Sequence, residues 1–244
     1  MHCTTPPRGR AKNAGRHAPR QTPAEVARFF EDMTTIIDYG IGNLRSLHKA
    51  FLAAGVEAIR TDDPDCIRTA ERLVLPGVGA FGACAAELHR RGLDGLVVER
   101  AEAGTPLLGV CVGMQLLFEV SEEFGEHAGL GLLPGRVVRF SDGRLGAEGD
   151  RLKVPHMGWN RLHPEAEHPV MGPDAPYVYF VHSYHAEAAD PSDVIATVDY
   201  GGPVPAVVGR RNVVGVQFHP EKSADAGLAM LRRFDAWTPT TVAA

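Results

Sequence analysis

The sequence predicts an α/β fold: a single domain with a mostly parallel central sheet flanked by helices, and an additional antiparallel β portion in the C-terminal half. Between residues 34 and about 123, short apolar segments alternate with helix-like segments, which is the rhythm of a parallel sheet. The apolar segments contain few polar residues, as strands buried on both faces do. Further along, strand-like segments follow one another with turn residues between them, which favours antiparallel pairing.

The elements of the N-terminal half follow in order. A short apolar strand leads into an amphipathic helix whose end is marked by Gly55, a suitable C-cap. After a second strand, Pro64 directly follows Asp63 and suits the start of a helix. The predicted elements are strand 34–40, helix 43–55, strand 57–61, helix 64–71, strand 72–77, one long helix over roughly 81–103, strand 105–110 and helix 114–123.

The C-terminal half consists of strand-like segments and a closing helix. Gly201-Gly202 and Arg211-Asn212 mark turns between successive segments. The predicted elements are strands 135–140, 177–187, 194–200, 204–209 and 212–218, and a final helix over roughly 224–237. There is no internal repeat, so one domain with an antiparallel addition fits better than two domains.

Composition narrows the class of protein. The chain has 244 residues, a formal net charge of -5 and 44% hydrophobic residues, so no global positive field favours nucleic acid or an acidic membrane. No apolar run approaches the roughly 20 residues that span a bilayer. The four cysteines form no C-x-x-C pair, which argues against a zinc site. Their even number would allow two disulfides, but the chain is not short and cysteine-dense, so free thiols in a reducing compartment are expected. We expect a cytoplasmic protein without a metal or cofactor.

Residues 1–32 differ from the rest. They are rich in Pro, Gly and Arg and poor in large apolar side chains, so they are predicted to be a disordered N-terminal extension, and the folded domain is expected to span 33–244. An Arg-rich targeting arm is an alternative. A start codon assigned too early is another, because Met33 directly precedes the first strand.

The segment GVGAFG, residues 77–82, follows a strand and precedes a helix, and so matches the dinucleotide-binding pattern G-x-G-x-x-G. The match is weak, because this is the third strand and no acidic residue ends a following strand at the expected distance. Glycines in this position can also direct backbone N–H groups into a cleft that binds an anion. We favour that second use.

A second glycine pattern, Gly109-Val110-Cys111-Val112-Gly113, lies at a strand-to-helix junction. It has the form of the nucleophile elbow of hydrolases, with Cys in place of Ser. Glycines on both sides remove the Cβ atoms that would collide with neighbouring elements in so sharp a turn. The partial positive charge at the start of a helix favours a thiolate over a thiol, so Cys111 is a candidate nucleophile.

A thiolate nucleophile needs a partner that transfers protons. His219 lies just beyond a predicted strand, and Glu221 follows two residues later. In an extended segment, side chains two apart project the same way, so Glu221 can orient the imidazole and stabilise its protonated form. Cys111, His219 and Glu221 together have the composition of a catalytic triad.

These motifs carry a family resemblance. The sequence resembles the class I, triad-type glutamine amidotransferases, and within them the glutaminase subunits of imidazole glycerol phosphate synthase. The resemblance covers nearly all of the chain from Thr34 onward, while residues 1–32 have no counterpart. Val112 stands where many relatives carry Leu. The matching segments are IIDYGIGNLRSL, LPGVGAF, LLGVCVGMQLLFE, VPHMGWN, YFVHSYH and GVQFHPEKS.

The resemblance implies roles for particular residues. Cys111 would attack the side-chain amide of glutamine, His219 would be the acid and base, and Glu221 would orient it. Backbone N–H groups around Val78, Gly79 and Val112 would form the oxyanion hole. Gln115, Ser183 and Tyr184 would bind the substrate, although Gln115 alone could equally be a solvent-facing helix residue. His182 and His185 suggest a metal site, but structural roles are preferred because no carboxylate completes one.

The resemblance also implies a partner, a (β/α)8-barrel cyclase subunit that receives ammonia through an internal channel. Four residues in the subgroup-specific motifs are candidates for the contact surface: Asn43, Trp159, Tyr179 and Lys222. Ordinary packing is an alternative for Trp159.

Three other functions stay open at this stage. The first is the glutaminase of another synthase, such as pyridoxal phosphate synthase. The second is a stand-alone cysteine peptidase or γ-glutamyl hydrolase, and the third is a binding module with a vestigial triad.

Overall fold

The computed structural model describes residues 33–146 and 148–239, and two β-sheets organise this part of the chain. The predictions for residues 1–32 lie outside the described residues. The strands are β1 Thr34–Ile37, β2 Ala58–Thr61, β3 Arg72–Leu75, β4 Leu107–Val110, β5 Phe118–Ser121, β6 His127–Ala128, β7 Leu133–Arg139, β8 His156–Pro164, β9 Tyr177–His182, β10 Tyr184–Ala188, β11 Val194–Asp199, β12 Pro203–Arg210 and β13 Val213–Val216.

The larger sheet has nine strands in the order β2-β1-β3-β4-β13-β12-β11-β8-β9. The pairs from β2 to β13 are parallel, and those from β13 to β9 are antiparallel. The predicted fold class, a parallel sheet extended by antiparallel strands from the C-terminal half, is confirmed. The sequence-based reading missed β8, the strand that connects the antiparallel extension to β9.

The smaller sheet, β10-β7-β5-β6, corrects two predictions. The segment 177–187 is not one strand, because the chain passes from the large sheet into the small one at Ser183. The predicted helix 114–123 is also wrong beyond Gln115, where the observed helix ends. The carbonyls of Leu116 and Leu117, which a continuing helix would use, instead accept hydrogen bonds from Leu130 and Leu133. The next residues are therefore free to pair as β5.

Helices cover the parallel part of the large sheet. The long helix predicted over 81–103 is two helices, because Gly92 adopts a left-handed φ of 66° and its N–H bonds back to the carbonyl of His89. No helix in the described part of the chain has the length and apolarity needed to cross a membrane. The α-helices of the described residues are α1 Leu44–Ala53, α2 Pro64–Thr69, α3 Phe81–Arg90, α4 Asp94–Glu102, α5 Val112–Gln115 and α6 Ala224–Ala236.

The core lies on both faces of the parallel strands. Strands β1, β4 and β13 are buried along their whole length. Apolar residues and glycine make up β4 and β13, whereas β1 begins with two buried threonines, Thr34 and Thr35. Because β3, β4 and β13 are parallel neighbours, their carboxyl ends meet at one edge of the sheet. Open α/β sheets bind ligands at that edge, so the segments that follow these three strands define the candidate site.

Candidate active site

A cavity of about 370 Å³ opens at the carboxyl edge of β3, β4 and β13. It brings together residues from the glycine turn, the predicted elbow, the β9–β10 bend and the segment after β13. The residues that line it are Val78, Gly79, Cys111, Val112, Gln115, Glu123, Pro155, Val181, His182, Ser183, Tyr184, His219 and Lys222. All the residues predicted from the sequence to act in catalysis or substrate binding are among them except Glu221, which lies directly behind His219.

Cys111 sits at a sharp corner between β4 and α5. Its φ of 56° and ψ of -113° are strained for a residue with a side chain, and the residue is only 4% exposed. Close packing explains the flanking glycines. A Cβ on Gly113 would lie 1.9 Å from the carbonyl oxygen of Leu75, and one on Gly109 would lie 2.7 Å from the carbonyl oxygen of Gly113. The corner can therefore form only where these neighbours have no side chain.

His219 and Glu221 form a buried pair next to the thiol. Nδ1 of His219 donates to Oε1 of Glu221 at 2.9 Å, and the two side chains are 4% and 3% exposed. Burial disfavours the charged imidazole, but interactions with Cys111 and Glu221 outweigh it and raise the pKa of His219 to about 9. With Nδ1 engaged by the carboxylate, Nε2 is the nitrogen left to exchange a proton with the thiol.

Glu221 stays ionised although it is buried. Burial alone would raise the pKa of its carboxyl, but the hydrogen bond and the charge of His219 lower it below the ordinary value, with a smaller contribution from Asn43. The Asn43 amide donates to the same oxygen of Glu221 at 3.3 Å. At neutral pH these shifts favour an imidazolium–carboxylate ion pair beside Cys111.

The glycine turn after β3 packs directly against the elbow. A Cβ on Gly77 would lie 2.7 Å from the backbone nitrogen of Gly113, which accounts for the first glycine of GVGAFG. Two side-chain hydrogen bonds to carbonyl groups of the turn hold it in place, and neither was predicted from the sequence. The Tyr39 hydroxyl donates to the carbonyl of Pro76 at 2.7 Å, and the Cys84 thiol donates to the carbonyl of Val78 at 3.4 Å.

The contact with Cys84 fixes the peptide between Val78 and Gly79. In a trans peptide the C=O and N–H bonds point in opposite directions, so the N–H of Gly79 is directed away from Cys84. Gly79 itself has a φ of 83°, a conformation that favours glycine.

Gln115 is buried rather than solvent-facing, with 3% of its surface exposed. Its amide nitrogen donates to the carbonyl of Tyr184 and to Oε1 of Gln217, both at 3.0 Å. Gln217 is fully buried, and its own amide nitrogen lies 4.0 Å from Sγ of Cys111. The sequence-based reading missed Gln217. Its spacing from His219 was the available signal, because alternate residues of an extended segment share a side.

Ser183 and Tyr184 lie at the bend between β9 and β10 and face the same cavity. The carbonyl of Ser183 accepts a hydrogen bond from the backbone N–H of Phe140 at 3.0 Å. The two neighbouring histidines take part in packing and hydrogen bonding within the protein. His182 contacts His156 and the carbonyl of Tyr184, and the His185 ring packs against Phe140 with centroids 4.6 Å apart.

Three of the four proposed interface residues form one patch beside the cavity. Trp159 is 53% exposed and pairs across strands with Tyr179, with ring centroids 6.1 Å apart. The ammonium of Lys222 lies 5.6 Å from the centre of the Tyr179 ring. Asn43 differs, because its side chain bonds to Glu221. The patch also includes Met157, 61% exposed on the same strand, which the sequence-based reading missed.

Comparison with known proteins identifies the family. The family model described as glutamine amidotransferase class-I matches residues 35–236. The imidazole glycerol phosphate synthase subunit HisH of Salinibacter ruber is 58% identical over 211 residues, which cover 86% of this chain and 96% of that protein. The HisH subunit of Methylococcus capsulatus is 52% identical over 84% of this chain and 96% of its own length.

Two solved structures share the fold at low sequence identity. One described as a glutamine amidotransferase has a TM-score of 0.64 and 21% identity, covering 83% of this chain and 98% of that chain. PurLQS from Thermotoga maritima has a TM-score of 0.63 and 19% identity, over 83% of this chain and 96% of that chain. These likenesses support the fold, and the family match supports the class: this chain belongs to the class I glutamine amidotransferase family.

Proposed function

We propose that the chain is the glutaminase subunit of imidazole glycerol phosphate synthase. It hydrolyses glutamine to glutamate and ammonia and passes the ammonia to a cyclase subunit, which makes imidazole glycerol phosphate and aminoimidazole carboxamide ribotide in histidine biosynthesis. The observation that carries the proposal is the buried Cys111 beside the His219–Glu221 ion pair. The names of the relatives with high identity over most of the chain supply the identity of the synthase.

The first half-reaction forms a thioester. The thiolate of Cys111 attacks the side-chain amide carbon of glutamine, and the carbonyl oxygen becomes an oxyanion. Backbone N–H groups of Val112 and of the turn at Val78 and Gly79 would stabilise it, each donor lowering the barrier by about 3–4 kcal/mol. The imidazolium of His219 then protonates the amide nitrogen, the C–N bond breaks, and ammonia leaves the γ-glutamyl thioester.

The second half-reaction releases glutamate. Neutral His219 removes a proton from water, whose oxygen attacks the thioester carbon, and the C–S bond breaks to return the thiolate. Glu221 keeps the imidazole oriented and stabilises its charge each time it is protonated. Gln115, Ser183 and Tyr184 would hold the amino-acid end of glutamine, because they line the same cavity as Cys111.

Free ammonia would be protonated in water and lost, so the reaction needs an acceptor subunit next to the cavity. The proposed contact surface for a (β/α)8-barrel cyclase is the patch of Trp159, Tyr179 and Lys222, together with Met157. An exposed Trp beside an aromatic and a cation has the composition of an interface hot spot. Asn43, whose side-chain amide donates to Glu221, would connect this contact surface to the triad. The expected cytoplasmic location remains a prediction.

Glutamate release tests the proposal. The purified chain is assayed with glutamine, alone and with the barrel cyclase and its ribotide, and compared with the variant Cys111→Ala. Cys66→Ala is the matched control, since Cys66 is a free thiol outside the cavity. We expect Cys111→Ala to lose activity by at least about 10⁴-fold and the control to retain it. Glutamine hydrolysis by Cys111→Ala at the wild-type rate would refute the proposal.

The partner is tested in the same assay. Stimulation by the imidazole glycerol phosphate synthase barrel, and not by the barrel of pyridoxal phosphate synthase, is the expected result. A second expectation concerns the PGVG turn, residues 76–79. We propose that it is mispositioned until the cyclase with its ligand binds, so the complex should turn over glutamine faster than the chain alone. Equal rates would reject this part of the proposal.

A further inference from the structure

Two buried histidines outside the triad form a hydrogen-bonded pair. His156 and His182 are 3% and 6% exposed, and Nδ1 of His156 lies 3.0 Å from Nε2 of His182. The His156 ring is stacked between Phe180 and Tyr200, at centroid distances of 4.7 and 4.0 Å. The reaction described above uses neither histidine as an acid or base, so the pair needs another explanation.

The contacts determine where each proton of the pair lies. A carbonyl oxygen only accepts, so Nδ1 of His182 carries the proton that it donates to the carbonyl of Tyr184 at 2.9 Å. In a neutral ring Nε2 of His182 is then an acceptor, and Nδ1 of His156 donates to it. That leaves Nε2 of His156 to accept from the amide of Asn160, 3.3 Å away. Every ring nitrogen has a partner of the right kind.

Both rings are uncharged at neutral pH. Burial lowers the pKa of His182 to about 3 and that of His156 to about 4, well below the ordinary value of 6.5. A ring with so low a pKa is a weak base, which fits a role in holding other groups in place.

One oxygen atom, the carbonyl oxygen of Tyr184, connects the pair to the side chains proposed to bind substrate. The carbonyl of Tyr184 has two lone pairs, and it accepts from His182 on one side and from Gln115 on the other. The second amide proton of Gln115 goes to Gln217. Both protons are therefore committed, and the Gln115 oxygen, which accepts no hydrogen bond from the described residues, is left to accept one from a ligand. Ser183, which also lines the cavity, lies in sequence between His182 and Tyr184, the two residues joined by this hydrogen bond.

We propose that His156 and His182 are positioning residues for glutamine binding, which hold the Tyr184 carbonyl and thereby the Gln115 amide and the Ser183 bend in the geometry that receives the substrate. This inference rests on the proposed glutaminase function. Loss of the donor on His182 would leave the carbonyl with one partner and free the bend to relax. Binding of glutamine should then weaken, while the triad remains intact.

Two substitutions of His182 separate the two ring nitrogens. In His182→Asn the side-chain amide nitrogen takes the place of Nδ1 and can still donate to Tyr184, whereas in His182→Gln the amide nitrogen takes the place of Nε2 and cannot. We expect KM for glutamine to rise about tenfold in His182→Gln, with kcat within about threefold of wild type. In His182→Asn we expect KM to stay within about threefold of wild type.

Alkylation provides a measurement that does not depend on turnover. Iodoacetamide reacts with free thiols without first occupying the pocket, so its rate of reaction with Cys111 should be equal in wild type and both variants. Mass spectrometry of the Cys111 peptide measures that rate separately from Cys66, which is also a free thiol. The diazo-ketone analogue of glutamine must first occupy the pocket, so its rate of labelling should fall about tenfold in His182→Gln alone. If His182→Gln does not fold, judged by circular dichroism, His156→Phe takes its place, with an expected rise in KM of about threefold or more.

The outcomes distinguish this inference from the function on which it rests. If wild type does not release glutamate in the presence of the cyclase, the proposed function fails. If wild type is active and His182→Gln has the wild-type KM, or if His182→Asn is impaired as much as His182→Gln, the positioning role is overturned. A fall in iodoacetamide reactivity that matches the fall in analogue labelling would also overturn it, because the damage would then lie in the triad.

Discussion

The neutral His156–His182 pair predicts how the stability of this protein depends on pH. His156 titrates at about 4 in the folded protein and near 6.5 once exposed, so between these values only the unfolded chain holds the proton. The free energy of unfolding therefore falls as the pH falls through this interval, by about 1.4 kcal/mol per pH unit for this residue. Lowering the pH from 7 to 5 should remove about 2 kcal/mol, because nearly all the change comes below pH 6.5.

The substitution His156→Phe removes this titration and keeps an aromatic ring between Phe180 and Tyr200. At pH 7 the variant should be less stable than wild type by about 1–3 kcal/mol, because the buried Nε2 of His182 loses its donor. At pH 5 the difference should be about 2 kcal/mol smaller. The other titrating groups occur in both proteins, so their contributions largely cancel in the comparison.

Urea denaturation followed by circular dichroism at the two pH values measures this change. The matched control is His163→Gln, which alters an exposed histidine and should leave the pH dependence as in wild type. If the difference between wild type and His156→Phe is the same at pH 7 and pH 5, His156 is not held neutral by burial, and the reasoning about the pair fails.

Two further substitutions test the triad and the elbow. Glu221→Gln keeps an oxygen for His219 but removes the negative charge, so the imidazolium should lose its proton at a lower pH and the high-pH limb of kcat/KM should move down from about 9 by one to two pH units. The limb should not move in the exposed control Glu102→Gln, and an unmoved limb in Glu221→Gln would contradict the ion pair. Gly113→Ala places a Cβ 1.9 Å from a backbone carbonyl and should lower the free energy of unfolding by more than about 3 kcal/mol. Gly95→Ala, in a helix with nothing within 4 Å of the added Cβ, should be neutral or stabilising by up to about 1 kcal/mol, and equal effects of the two alanines in urea denaturation would refute the steric argument.

Much of the fold could be predicted because local and long-range requirements agree. Strands β4 and β13 are buried on both faces along their whole length, and that burial is visible in their apolar composition. The predicted helix over 114–123 fails because the carbonyls of Leu116 and Leu117 accept hydrogen bonds from Leu130 and Leu133, fourteen and sixteen positions further on. Such a contact leaves no local mark in the sequence. The split of the long helix at Gly92 was readable in principle, since glycine is the usual residue at a left-handed helix end.

The candidate site was predictable where backbone geometry dictates residue type. The glycines around Cys111 follow from steric rules. His219 and Glu221 do meet, but through a 3-10 turn at Pro220–Lys222 and not through the extended segment expected from the sequence. Gln217, Cys84 and Tyr39 were missed because their roles depend on contacts between elements far apart in the chain. His156 was missed for a related reason: its strand, β8, meets β9 only in the folded sheet, and one histidine in a motif gives no indication of a second one opposite.

The parallel pairing of β4 with β13 has a consequence for biosynthesis of the protein. Cys111 and Gln217 are 106 positions apart, and His219, the proposed catalytic base, follows shortly after Gln217. A chain emerging from the ribosome therefore carries the proposed nucleophile, Cys111, long before the proposed base, His219, and the two can meet only when β13 enters the middle of the large sheet. Contacts of such high sequence separation form slowly. A nascent or half-folded chain would have no means of consuming glutamine, and the onset of hydrolysis would mark the completion of folding.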